Sequence, residues 1–254
     1  MTIDYEKKGH IHIMTFNNPE KRNALTIRDF LRMDEIDEEF QADPDAWVLI
    51  MTGAGDRSFS AGADLEEAIG KATSAEVKLE PRAKRWFSHC YKPIISAING
   101  YALAGGTEFI LLTDIRIAAE HAMLGIQEVR WGLVPLGGSC VNLPRQISWC
   151  KAMEILLIGD RLTAKQALDI GLINMVVPKE QLMPTAMKVA ERICENGPLA
   201  VRIVKEIALK AFSQPRELGF ITEMELGARA FKSEDAKEGP MAFFEKRKPQ
   251  FKGR

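Results

Sequence analysis

The stretch from Lys92 to Glu128 restricts the fold of this chain more than any other. Its first part, Pro93-Ile-Ile-Ser-Ala-Ile98, is apolar and β-branched, with the length of a buried strand. Asn99-Gly100 breaks the run with a turn signal. After Gly105-Gly106 the pattern becomes Thr107-Glu-Phe-Ile-Leu-Leu112, the start of a buried helix. A strand, a glycine pair and a helix start leave backbone N–H groups unpaired and aimed at one spot. Glycine lets another molecule approach those donors with no Cβ in the way.

Glu108 lies in the first turn of that helix, and Glu128 follows after Ala122-Met-Leu-Gly-Ile-Gln. Donors aimed at a developing anion, with two carboxylates in apolar surroundings, point to acid–base chemistry at an activated carbonyl. Taken singly, neither signal is specific. A Gly-Gly after a strand is most often a tight turn, and a Glu from a chain with 35 acidic residues is most often solvated. A second junction upstream adds weight. Trp47-Val-Leu-Ile-Met-Thr52 reads as a buried strand, followed by Gly53-Ala-Gly-Asp-Arg-Ser and Phe59-Ser-Ala-Gly-Ala-Asp-Leu65. It repeats the same order of strand, small residues and helix start. Asp64-Leu-Glu-Glu forms an acidic first turn suited to the positive end of a helix.

The chain has 254 residues, enough for one large domain or a domain with a small appendage. A chain of this size buries about three-quarters of its unfolded surface, so its core needs no covalent staples. With 34 basic and 35 acidic residues the charge is balanced, which argues against a nucleic-acid surface or a basic membrane face. Cys90, Cys140, Cys150 and Cys194 are scattered without a C-x-x-C, so neither a zinc site nor a disulfide framework is expected. Free thiols fit a reducing compartment. The segment from Met1 to Lys8 has no apolar targeting core. The longest uncharged stretch, Pro93 to Thr107, is too short and glycine-rich to span a bilayer. A soluble, cytoplasmic protein is expected.

Along the chain, residues 3–16 alternate apolar and polar around Gly9, as a hairpin does. Asn17 to Asn23 is a polar loop whose Lys21 and Arg22 are suited to a phosphate or simply to solvent. Thr26 is a candidate N-cap for a helix with Ile27, Phe30, Leu31, Ile36 and Phe40 on one side. A polar, irregular segment is expected over 70–81 and a helix over 82–91. Asp114 to Ala119 and the run from Met123 read as strands, and a helix begins near Cys140. Further helices follow around Lys151–Ile158 and at Thr163-Ala-Lys-Gln166, a capping-box pattern stopped by Gly171. Leu172 to Val177 is a last strand. Helices are then expected over 180–195, 198–213, 215–231 and 233–246, with a change near residue 195 from alternating α/β to an all-α tail.

Four blocks run collinearly through the chain: Ser60-Ala-Gly-Ala-Asp64, Ile98-Asn-Gly-Tyr-Ala-Leu-Ala-Gly-Gly-Thr-Glu108, Gly171-Leu-Ile-Asn-Met-Val-Val177 and Phe244-Glu-Lys-Arg-Lys-Pro-Gln-Phe251. Together they resemble the crotonase superfamily, specifically the enoyl-CoA hydratase/isomerase family, over essentially the whole chain. The resemblance implies an α/β fold, a spiral of ββα units making two roughly perpendicular sheets. It implies a catalytic, CoA-binding part over residues 1–195 and a helical region over 196–254 that trimerises, often into a dimer of trimers. The implied partner is an acyl-CoA thioester substrate, with no metal, no redox cofactor, no nucleic acid and no membrane. By the same resemblance, the amides of Ala63 and Gly105 form an oxyanion hole. Glu108 and Glu128 are the carboxylates of the hydratase branch, and many members carry only one of them. The backbone through Ala61, Asp64 and Leu65 would hold the adenine and pantetheine, with Lys21, Arg22 and Ala24 on the other wall. Phe243 and Lys246 would reach the substrate from the same chain or a neighbouring one.

The activity so implied is addition of water across a 2-enoyl-CoA, with Glu108 activating the water and Glu128 protonating C2. The residues alone leave the reverse assignment open, because a coupled pair titrates as a unit. Three alternatives stand beside hydration. One is an enoyl-CoA isomerase, in which a single Glu shuttles the proton between C2 and C4. Another is a different crotonase reaction such as carnitinyl-CoA dehydration. The third is an idle acyl-CoA- or RNA-binding scaffold, which the balanced charge and the intact glutamate pair disfavour. The chain departs from the pattern in places. Ala104 replaces a third glycine, expected to be harmless because the donor belongs to the next residue. The loop Pro135-Leu-Gly-Gly-Ser139 is one residue short, and bulky Trp131 stands near Glu128. These last two leave the acyl-chain preference open.

Overall fold

The computed structural model describes residues 2–64, 66–67 and 85–254. The expected irregular segment over 70–81 and the proposed contact Leu65 fall outside the described residues. Of the helix expected over 82–91, the described part is a 3-10 turn at Trp86–His89.

In chain order the first strands are β1 (Ile3–Lys8), β2 (Ile11–Phe16), β3 (Val48–Gly53), β4 (Ser58–Ser60) and β5 (Ile94–Ile98). They are followed by β6 (Tyr101–Leu103), β7 (Ile115–Ala119), β8 (Met123–Gly125), β9 (Leu162–Thr163) and β10 (Met175–Val177). β1 and β2 form the expected antiparallel hairpin around Gly9. A six-stranded sheet has the order β1-β2-β3-β5-β7-β10, parallel beyond the hairpin. A four-stranded sheet has the order β4-β6-β8-β9, closed by the antiparallel pair β8–β9. Three successive pairs, β3–β4, β5–β6 and β7–β8, each place one strand in either sheet, and each pass lies beside the last. This is the expected spiral of an α/β fold. The last strand is shorter than the predicted Leu172 to Val177, because the Asn174 side chain accepts from the Arg116 N–H and only Met175–Val177 pairs with β7.

The helices are α1 (Ile27–Ala42), α2 (Gly105–Ile110), α3 (Ser139–Gln146), α4 (Trp149–Ile158) and α5 (Ala164–Asp169). The chain then ends in α6 (Leu182–Cys194), α7 (Pro198–Ala211), α8 (Arg216–Phe231) and α9 (Asp235–Phe244). Thr26 caps α1 as predicted, in a reciprocal box with Asp29. The predicted buried side is corrected. Met33, Ile36 and Phe40 carry it, while Ile27 and Leu31 are 41% and 59% exposed. At 100° per residue those two lie more than a quarter-turn from that stripe. Thr163 caps α5 in a second box, and Gly171 with φ +75° follows its end.

The inner strands β3 and β5 of the large sheet are buried on both faces, which is why they read as continuous apolar runs. Val48, Ile50, Ile95, Ala97 and Ile117 pack under α6 through Leu182, Ala186 and Ala190. Leu49, Met51, Ile94, Ile98 and Ala118 face the main core with α1 and α2. In that core Phe16 packs edge-on to Phe59 at 5.3 Å and against Phe109 at 5.5 Å. Burying each ring contributes about 1.5–3 kcal/mol. These rings tie β2, β4 and α2 together directly beneath the two glycine junctions. Among the described residues, no helix is long and apolar enough to cross a membrane.

Candidate active site

The upstream junction is organised by Asn23, which is fully buried with φ +56°. Its amide donates to the carbonyls of Ala54 and Ser58, and its own carbonyl accepts from the Ser60 hydroxyl. The 22–25 segment then runs alongside 61–64. Ala61 N–H donates to Arg22 O, Leu25 N–H to Gly62 O, and Asp64 N–H to Leu25 O. Leu25 and Ala63 make a parallel bridge. Ala24 is buried in this seam. Two predicted walls of one groove are thereby joined by backbone bonds. Lys21 Nζ reaches Asp64 Oδ2 at 2.9 Å and Glu66 Oε2 at 3.5 Å, and the lysine holds the Asp64 carboxyl below its ordinary range. Asp64 Oδ1 also accepts from Glu66 N–H at 3.0 Å, as an N-cap to the helical residues 66–67 does.

The downstream junction is pressed against the first. A Cβ on Gly106 would lie 2.0 Å from Ser60 O, so α2 starts in contact with the end of β4. A Cβ on Gly62 would lie 2.7 Å from Gly105 N, and one on Gly105 would lie 3.6 Å from Ala63 N. The amides of Ala63 and Gly105 therefore sit side by side. Among the described residues, neither N–H donates a hydrogen bond to the protein. Ala104, expected to be harmless, is held at φ +51°, ψ −124°, on the side of the map that favours glycine. Such a residue stores about 1–3 kcal/mol of strain. The strain is confined by Ala104 N–H donating to Gly125 O and by the Thr107 hydroxyl donating to Ala102 O.

The two glutamates approach this point from different elements. Glu108 is buried in the first turn of α2, and Glu128 opens a 3-10 turn, Glu128–Trp131, after β8. Glu108 Oε1 accepts from the Ser139 hydroxyl at 2.8 Å and from the Ser139 N–H at 3.2 Å. Burial pushes the Glu108 carboxyl up, while the Ser139 donors and the Gly137 amide pull it back. Glu128 Oε2 is buried and has no hydrogen-bond partner among the described residues. Its carboxyl is pushed up to about 7, first by burial and further by the nearby charge of Glu108. Glu108 is thus held by a hydroxyl and backbone amides, while Glu128 has only backbone N–H groups of its own turn to offset its burial, and unequal environments are how paired acids come to divide acid and base roles.

Ser139 and Gly137 were not anticipated as site residues. Gly137 is required because a Cβ there would lie 2.3 Å from Glu108 Oε2. The Gly-Gly-Ser run was the available signal, but nothing local in the sequence connects it to Glu108. Arg22, whose carbonyl joins the seam, closes a 3-10 turn in the left-handed region, and two predicted contacts lie elsewhere. Phe243 is 78% exposed with its ring edge-on to Phe244, and Lys246 follows α9. Among the described residues, no hydrogen bond or ion pair joins Phe243 or Lys246 to the junctions. Nor is any group of three or more His, Cys, Asp or Glu side chains placed to hold a metal ion among those residues.

Known proteins resemble the chain over nearly its whole length. The family model described as Enoyl-CoA hydratase/isomerase matches residues 6–254. Enoyl-CoA hydratase EchA19 of Mycobacterium tuberculosis is 40% identical over 257 residues, spanning 98% of this chain and 96% of the relative. A carnitinyl-CoA dehydratase of Citrobacter koseri is 35% identical over 262 residues, spanning 100% of this chain and 99% of its own. The crystal structure of an enoyl-CoA hydratase from Bacillus anthracis matches with a TM-score of 0.93 at 33% identity, covering 100% of both chains. With two mixed sheets wound as a spiral, adjoining glycine junctions and a sequence match over nearly its full length, the chain belongs to the enoyl-CoA hydratase/isomerase (crotonase) family of acyl-CoA enzymes.

Proposed function

We propose that the protein is an enoyl-CoA hydratase, adding water across the 2,3 double bond of an enoyl thioester of coenzyme A. The observation that carries this reading is the unequal solvation of Glu108 and Glu128 beside the paired amides of Ala63 and Gly105. An unsaturated thioester is a weak electrophile until its carbonyl oxygen can accept charge. Two N–H donors on that oxygen favour the enolate-like transition state over the ground state. Glu108, ionised, holds a water and takes its proton as the oxygen bonds to C3. Glu128, neutral, gives its proton to C2. Net transfer leaves the proton on Glu108, and exchange between the carboxylates or with solvent resets the pair. The walls of the coenzyme site are assigned to Lys21, Arg22, Ala24, Ala61 and Asp64. An isomerase needs one shuttling carboxylate, which leaves the donors around Glu108 without a purpose.

Incubation with crotonyl-CoA should remove the conjugated-thioester absorbance, and its persistence would count against the proposal. The alkaline limb of the pH dependence is set by Glu128. A group that must carry a proton and releases it at about 7 makes kcat/KM fall as pH rises through that value. A profile flat from pH 6 to 9 would contradict the role of Glu128 as acid.

We also assign the C-terminal helices to a subunit interface, in a trimer or a dimer of trimers. In the single chain α8 buries none of its residues, and Phe220, Phe231 and Phe244 are exposed on α8 and α9. Phe243 and Lys246 belong to this surface, so any contact with substrate is assigned to a neighbouring subunit's site. Sedimentation at micromolar concentration should give a trimer or hexamer; a monomer would overturn the assignment.

A further inference from the structure

We propose that Ser139 is a positioning residue for Glu108, clamping one carboxylate oxygen so that this glutamate serves as the base of the pair. The inference rests on the hydration reading and deepens it. Ser139 is fully buried and is the first residue of α3, following Gly138 at φ +117°. Its N–H is one of the amides that a helix start leaves without an internal partner. That amide can only donate, and it donates to Glu108 Oε1 at 3.2 Å. The hydroxyl adds a second bond to the same oxygen at 2.8 Å. Oε1 is thereby committed as an acceptor from two donors. The other oxygen is confined by the backbone of Gly137, where a Cβ would approach Oε2 to 2.3 Å. The carboxylate has little freedom to rotate or to carry its proton on the clamped side. No equivalent clamp is made on Glu128 Oε2 among the described residues. A single side chain thus breaks the symmetry between two acids of the same type.

A hydrogen bond from a hydroxyl to a carboxylate favours the ionised form, and its loss moves the titration of that carboxyl up by about one to two pH units. In Ser139→Ala, the acid limb of kcat/KM for crotonyl-CoA should move up by about that amount. The alkaline limb should stay in place, narrowing the profile from the acid side, with KM little changed. Ser139→Thr, which keeps the hydroxyl, should restore the wild-type limb. A uniform fall in rate at every pH, or no change at all, would overturn the proposal. A second measurement needs neither turnover nor the variant. In the wild-type protein labelled with 13C at glutamate carboxyls, the Glu108 resonance, assigned by its loss in Glu108→Gln, should titrate below that of Glu128. The reverse order would overturn the proposal even if Ser139→Ala does not fold. If the wild-type protein leaves crotonyl-CoA unchanged, the hydration reading fails on its own, and whether the Glu108 titration moves up in Ser139→Ala still decides the role of Ser139.

Discussion

Glu108→Gln and Glu128→Gln are each expected to lower kcat for crotonyl-CoA hydration by about 10²–10⁴, the range for losing a general acid or base. Glutamine keeps the size of the side chain and most of its hydrogen bonding, so the loss reports proton transfer and not packing. Coenzyme A affinity should change little, because neither glutamate lies on the Lys21–Asp64 wall. The double variant should lose less than the product of the two single losses, since in the proposed mechanism both groups act on one water and one enolate. Isomerase chemistry gives another pattern. Glu128→Gln would be inactive, Glu108→Gln nearly unaffected, and 3-enoyl-CoA turned over faster than 2-enoyl-CoA.

Gly62→Ala should be nearly as damaging, by a different route. Gly62 has φ +84°, where a side chain is strained, and its added Cβ would sit 2.7 Å from Gly105 N. The methyl group can be relieved only by moving the Gly105 amide away from that of Ala63, the pair proposed to hold the substrate's carbonyl oxygen. Loss of one such donor costs about 10²–10³ in kcat. The strain itself should lower stability by about 1–3 kcal/mol, readable in a thermal melt. Gly105→Val is a less direct probe, since its first added carbon would meet Gly62 Cα at 3.1 Å and disturb backbone as well as substrate. A Gly62→Ala protein with full activity would remove the Ala63–Gly105 pair from the mechanism.

The parts of this molecule legible in its sequence are those written in local patterns. The β-branched runs before each glycine junction, the capping boxes at Thr26 and Thr163, and the helical tail all rest on neighbours within a few residues. The spiral itself was reached by resemblance, since no local pattern dictates which strands alternate between sheets. α1 was misread at Ile27 and Leu31 because its buried face also carries Asp29 and Asp37, so polarity gave the wrong phase. Ala104 looked harmless because its strain lies in the backbone dihedral, not in the residue type. Ser139 escaped notice because its partner is 31 positions away, joined only once the α3 start folds back over Glu108. Asn23 is similar. A polar residue in a polar loop gives no sign of a buried amide that binds Ser58 and Ala54.

The proposed addition of water by the unequal glutamate pair and the amides of Ala63 and Gly105 leaves an isotopic record when crotonyl-CoA is turned over in 18O-labelled, deuterated water and the product is weighed. The expected product is 3-hydroxybutyryl-CoA with solvent oxygen at C3 and one solvent deuterium at C2, formed by the wild-type protein and suppressed in both glutamine variants. A product that takes up deuterium but no labelled oxygen, or an undiminished yield from either variant, would contradict the proposal.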